Sequence, residues 1–225
     1  MGRTPSEPDG KPEPRLRLLV SSTVFGYEEL LESLYALLDG FGYDVLMSHK
    51  GTVPIDPDIS AMDSCLAAVD TCDLFLGIIL PRYGSGIEAS DGLSITHREA
   101  LRAIEKNKPR WFLVHEHVAV ARQLLDPFRD KTKSDCFHLL PGMAYTKTAI
   151  LSDLRVLDLY EAALLNHVPA VADRKGNWVQ AFGPDDDARL FAVAQFRRYR
   201  ELADKHLPQL QDLSAIRARV KGARP

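Results

Sequence analysis

The sequence predicts an α/β fold: an open, doubly wound parallel sheet of about five strands, followed by a C-terminal helical extension. Three observations predict it. Short apolar runs alternate with helix-periodic segments from Leu16 to Val114. One of these runs, Asp-Leu-Phe-Leu-Gly-Ile-Ile-Leu from Asp73 to Leu80, is apolar almost throughout, as a parallel strand covered on both faces has to be. The chain has 225 residues, 45% of them hydrophobic, which suits one compact core with an appendage.

The elements follow in order. Residues 1–15 are Pro-rich with charges of both signs and read as a flexible leader. The first strand runs through Leu16, Leu18, Leu19 and Val20 and ends in Ser21-Ser22-Thr23. Leu30, Leu31, Leu34, Leu37, Leu38 and Phe41 then recur at helical spacing, and Gly40 and Gly42 stop that helix. Tyr43 to Met47 gives the second strand. Asp56-Pro57 reads as an N-cap with proline at the first helical position, opening a helix whose stripe is Ile59, Met62, Leu66 and Val69. After the third strand and a polar loop from Pro81 to Leu93, a helix runs from Ile95 to Lys106. Trp111 to Val114 forms a fourth strand, and Val118 to Leu125 another helix. Arg155 to Leu159 is the expected fifth strand, Asn177 to Gln180 a short extended piece, and Asp185 to His206 the last helix. The expected organisation is an α/β domain over 16–150, an α-rich extension over 151–212 packed on the same domain, and a basic tail over 213–225.

Composition excludes several classes. A net charge of -3 offers no basic field for DNA. The longest apolar run, Leu74 to Leu80, is too short to span a bilayer, and no apolar signal stretch opens the chain. Cys65, Cys72 and Cys136 form no CxxC pair, so a reducing, cytoplasmic setting is expected. The first strand end lacks Gly-x-Gly-x-x-Gly and no Walker A sequence occurs, which disfavours dehydrogenases and P-loop NTPases. His115-x-His117 has no third ligand at suitable spacing, and no metal site is expected.

Parallel sheets bind ligands at the carboxyl ends of their strands. That directs attention to Ser21–Phe25, His49–Ile55 and Pro81–Glu99. A carboxylate in the first turns of the helix after the third strand can stabilise positive charge developing on a ribose, or attack its anomeric carbon. Glu99 is that carboxylate. Thr96-x-x-Glu99 also fits a capping box, in which Glu99 merely bonds backbone. Both readings stand at this level.

Val20-Ser21-Ser22-Thr23-Val24-Phe25, Arg82-Tyr83-Gly84-Ser85, Ser94-Ile95-Thr96-x-x-Glu99 and Gly176-Asn177-Trp178-Val179-Gln180 together resemble a bacterial TIR-like domain of unknown function. Members of that family begin with a Ser-Ser-Thr strand end and occur in defence-related, NTPase-associated proteins. The resemblance implies a flavodoxin-like sheet akin to TIR domains and nucleoside deoxyribosyltransferases. It also implies cleavage of the N-glycosidic bond of NAD, a nucleoside or a nucleotide. By that resemblance Glu99 is catalytic and Asp91 holds the sugar. Ser22, Thr23, Gly84 and Ser85 face ribose or phosphate, and Tyr83 or Phe25 stacks on the base. Water is the acceptor, so no cofactor is called for. A second copy of the chain or a partner protein is the implied assembly partner. The competing reading is a non-catalytic module that binds a nucleotide or a protein through the same cleft.

Overall fold

The computed structural model describes residues 15–87, 91–133, 136–168 and 170–206. Five strands, β1 (Arg17–Ser22), β2 (Asp44–Leu46), β3 (Leu74–Ile79), β4 (Arg110–His115) and β5 (Val179–Phe182), form one all-parallel sheet in the order β2-β1-β3-β4-β5. Among the described residues, the helices α1 (Glu28–Gly40), α2 (Ala61–Thr71), α3 (Ile95–Glu105), α4 (Glu116–Leu125), α5 (Arg155–Leu164) and α6 (Asp185–Phe196) cover it. The expected α/β doubly wound fold is observed. The leader, the tail over 213–225 and the end of the 151–212 segment lie outside the described residues.

Strand alternation divides the core into two layers. Leu18, Val20, Leu76, Ile78 and Leu113 face α1 and α6, where they meet Leu30, Leu34, Phe191 and Phe196. Leu19, Phe75, Ile79, Phe112 and Val114 face the other way, onto α2, α3, α4 and α5 through Val69, Ala100, Val118 and Val156. Every residue of β3 is buried, which accounts for its unbroken apolar run. Each large side chain so buried contributes on the order of 1.5–3 kcal/mol.

Several expectations need correction. Arg155–Leu159 is the first half of α5, with Val156, Leu157, Leu159 and Ala163 buried along one helix face. A five-residue segment with three apolar positions fits either period, and here packing beside α3 decides for the helix. The fifth strand is Val179–Phe182, two residues later than the expected extended piece, and it pairs with Phe112–His115. The region beyond 151 therefore supplies a strand of the sheet as well as helices. Asp56-Pro57 does not cap α2. Asp56 Oδ1 instead accepts the Asp58 N–H at 2.9 Å, and Ser60 is the cap, accepting the Asp63 N–H at 3.0 Å.

The expected helix Asp185–His206 is broken at Arg197 and Arg198, and helix resumes over 199–206. The Tyr43 hydroxyl donates to the Phe196 carbonyl at 3.1 Å, taking the acceptor that a continuous helix would use for the N–H of residue 200. The Tyr199 hydroxyl accepts the Leu16 N–H at 3.1 Å, and the Tyr43 and Tyr199 rings meet edge-on. At the break the buried Tyr43 holds the end of α6, and the half-buried Tyr199 holds the backbone just ahead of β1. Among the described residues, no helix is long and apolar enough to cross a membrane.

At the centre of the sheet, Gly77 leaves room for a ring. A Cβ there would lie 2.5 Å from two atoms of the Phe112 ring on the neighbouring strand. Gly77→Ala is expected to lower folding free energy by about 1–3 kcal/mol. Part of that loss should be recovered in the double variant with Phe112→Leu. Urea unfolding of the two single variants and the double variant tests this, and additive losses would contradict it.

Candidate active site

The strand order changes direction between β1 and β3: the chain steps from β1 to β2 on one side, then returns to β3 on the other. At such a point the carboxyl ends of adjacent strands open a crevice. Here the crevice is a cleft of about 760 Å³, within the range that holds small-molecule ligands. Its walls come from the segment after β1 (Ser22–Phe25), from α2, from the loop after β3 (Arg82–Ile87), from the start of α3, and from Ser152 and Asp153 ahead of α5.

Glu99 lines this cleft although its side chain is almost wholly enclosed, at 6% exposure. The capping-box reading does not hold. Ser94 is the N-cap of α3, accepting the His97 N–H, and Glu99 sits a full turn inside the helix. There it meets Ser21. Along β1, Leu19 and Ser21 point to the same face, so Ser21 occupies a core position at the strand's carboxyl end. Its hydroxyl donates to Glu99 Oε2 at 2.5 Å. The Cys65 thiol of α2 is the second group near enough to favour the ionised carboxylate. Burial pushes the Glu99 carboxyl up to about 7, and these two groups only partly offset it. None of the described ion pairs involves Glu99. The Cys65 thiol is itself pushed up to about 11, first by burial and then by the adjacent carboxylate, so it remains protonated.

Seven of the expected site residues lie in the cleft: Ser22, Thr23, Phe25, Tyr83, Gly84, Ser85 and Glu99. Their individual settings differ. The Ser22 hydroxyl donates to the Thr23 carbonyl at 2.9 Å, while Thr23 Oγ1 donates to the Arg82 carbonyl at 3.3 Å. Gly84 has φ +91°, and a Cβ there would lie 2.6 Å from the Thr23 methyl, so only glycine lets this loop close on the end of β1. Ser85 is exposed and its carbonyl accepts the Ile95 N–H. Phe25 is 72% exposed at the mouth, with the Arg82 guanidinium 5.0 Å from its ring centre.

Tyr83 is the aromatic that departs from expectation. It is buried, with the Arg155 guanidinium 4.5 Å from its ring centre and the His97 ring edge-on to it. Its hydroxyl accepts the Ser94 N–H and shares a hydrogen bond with His97 Nδ1 at 2.8 Å. Burial holds His97 neutral by pulling it down to about 4. Tyr83 braces the entrance to α3 and offers no free face to a base. Asp91 is not among the residues lining the cleft. It is exposed and pairs with Arg98 at 2.7 Å.

Three contributors escaped the sequence reading. Ser21 was overshadowed by Ser22, although the inward alternation from Leu19 would have selected it. Cys65 drew notice only as one of three cysteines without a CxxC pair. Asp153 lies just ahead of the segment expected to be a strand, in the expected extension. Burial raises the Asp153 carboxyl, but hydrogen bonds from Arg155 at 2.9 and 2.5 Å outweigh it and hold it below its ordinary value. The cleft thus contains a carboxyl poised near neutrality and a second that stays ionised. His115 ends β4, where its Nδ1 accepts the His117 N–H at 3.2 Å. Among the described residues, no cluster of three or more His, Cys, Asp or Glu could hold a metal ion.

The elevated Glu99 carboxyl is a stability cost with a definite sign. The native state prefers the protonated acid, so the stability present below about pH 4.5 is lost as the pH rises through about 7. Across that window the loss is about 3 kcal/mol. Glu99→Gln escapes it. Denaturant unfolding should show the variant gaining about 3 kcal/mol relative to the native chain on going from pH 4.5 to pH 8. An unchanged difference between the two pH values would show that Glu99 does not titrate in this way.

Two solved structures resemble the chain at low identity. A CMP N-glycosidase of Clostridium botulinum is 22% identical, with 48% of this chain and 79% of that chain covered and a TM-score of 0.30. A 2-desoxiribosyltransferase from Leishmania mexicana is 16% identical, with 69% of this chain and 100% of that chain covered and a TM-score of 0.34. Scores this low leave the chemistry to be argued from the cleft itself. Among curated proteins, none matches the chain. The family described as Domain of unknown function (DUF4062) matches residues 17–149, more than half of the chain, and the protein belongs to it.

Proposed function

We propose that the protein hydrolyses an N-glycosidic bond of a nucleotide or nucleoside, NAD included, with Glu99 as the essential carboxylate. The observation that carries this reading is the setting of Glu99: buried, without a cationic partner among the described ion pairs, and lining a ligand-sized cleft at the point where the strand order reverses. A carboxyl in that position lowers stability above neutral pH, and such a cost persists where function requires it.

In the reaction, the bond between the anomeric carbon and the base nitrogen breaks and the ribose ring gathers positive charge. Ionised Glu99, poorly hydrated and held in place by Ser21, stabilises that charge more strongly than a solvated carboxylate would. Water adds its oxygen to the anomeric carbon, and its proton balances the departing base. Phe25 supplies the exposed aromatic face for the base. Ser22, Thr23, Gly84 and Ser85 line the path of ribose or phosphate. Asp153, ionised and within the cleft, suits the sugar-holding role that the family resemblance had assigned to Asp91. The TIR-like character, the setting in bacterial defence or signalling, and action with a second copy or partner protein belong to the same proposal.

The test is release of free base from NAD, nucleosides and nucleotides, followed by chromatography at high protein concentration. Glu99→Gln should reduce release at least 100-fold while ligand still binds. Because the ionised form acts, the native rate should rise with pH through about 7. Undiminished release by Glu99→Gln would overturn the assignment. Binding without release by the native chain would favour the non-catalytic module.

A further inference from the structure

The cleft that Glu99 lines also contains a buried polar group with no partner among the described residues. Ser64 lies on α2, lines the cleft and is 2% exposed. Its hydroxyl oxygen has no hydrogen-bond partner among the described residues. It does not make the bond to the carbonyl four residues back that Thr71 of the same helix makes to Ala67 at 2.9 Å. A buried hydroxyl left unpaired costs free energy, and alanine would avoid that cost while favouring the helix. A serine here is therefore accounted for by something that pairs with it, and the cleft is the space it borders.

We propose that Ser64 is a ligand-binding residue whose hydroxyl hydrogen-bonds a sugar hydroxyl of the substrate. This inference rests on the nucleotide reading above and makes it more specific. Depth in the cleft selects the sugar. Phe25 and Arg82 are exposed at the mouth, while Ser64 and Glu99 are enclosed at the floor. Cys65, the next residue on α2, lines the same cleft as Glu99, and α2 packs on α3, so the part of a ligand that reaches Glu99 also reaches this stretch of helix. In N-glycosidic chemistry that part is the sugar, and hydroxyls are what it presents. Rotation about the serine's single side-chain torsion turns the hydroxyl from the helix toward the ligand. A site built to bond a hydroxyl discriminates against a ligand that lacks it, because the site's own group is then left unpaired.

The experiment is calorimetric titration of ribonucleoside monophosphates and their 2′-deoxy and 3′-deoxy counterparts into Glu99→Gln protein, which removes turnover, with and without Ser64→Ala. With Ser64 present, deleting one particular sugar hydroxyl should weaken binding about tenfold, and Ser64→Ala should abolish that preference. The Ser64→Ala protein without ligand should melt about 3 °C higher. Ser64→Cys, similar in size but a weaker donor, should show an intermediate preference and controls for packing. Equal hydroxyl preference with and without Ser64, or a uniform loss across all ligands, would overturn the inference. If nucleotides bind but the native chain releases no base, the hydrolase reading falls while the Ser64 result stands. If no nucleotide binds, both fall.

Discussion

A carboxylate can be taken out of water only if hydrogen bonds replace part of its hydration, and a protein that does so accepts either a shifted titration or a loss of stability. In this fold the replacement comes mainly from the hydroxyl of Ser21, 2.5 Å from Glu99. That contact dictates much around it. It needs β1 and α3 in fixed relation, which β3 provides by pairing with β1 and leading into the loop before α3. It needs the first turn of α3 held firmly, which Ser94, Tyr83 and His97 provide through neutral hydrogen bonds that leave Glu99 without a nearby compensating charge. The Thr23–Gly84 approach then holds the loop after β3 against the end of β1.

The sheet was largely legible in the sequence because its strands are short, apolar and separated by amphipathic helices. The run at Leu74–Ile79 carries its own explanation, since both of its faces are covered. Legibility failed where a local signal was ambiguous and a distant contact decided. Arg155–Leu159 has too few residues to express a period, and its packing beside α3 makes it a helix. The break after Phe196 has no proline or glycine to announce it, because its cause is a tyrosine more than a hundred and fifty positions earlier. Asp56-Pro57 looked like a helix start, and Ser60 performs that task one turn later.

The site was legible in outline for a topological reason: parallel strands end on one edge, so residues at those ends converge whatever their separation in sequence. Glu99 and the residues around Ser22 and Gly84 were found in this way. Side-chain direction at a strand end was the weak point, and it separates Ser21 from Ser22. Asp91 and Tyr83 show a second limit. Both lie in the right segment, but an arginine claims each of them, Arg98 the first and Arg155 the second. Asp153 reaches the cleft from the region beyond 151, by a route that no spacing within the strand-end segments encodes.

Two hydrogen bonds tie the loop after β3 to the segment before α5. Ser152 donates its N–H to the Pro81 carbonyl at 2.8 Å, and its hydroxyl accepts the Tyr83 N–H at 3.0 Å. The family match ends at residue 149, just short of Ser152 and Asp153. One wall of the cleft is therefore built by chain that lies outside the shared portion. Glu99 and Ser21 lie within the matched portion and Ser152 and Asp153 beyond it, so the matched segment by itself does not complete the cleft.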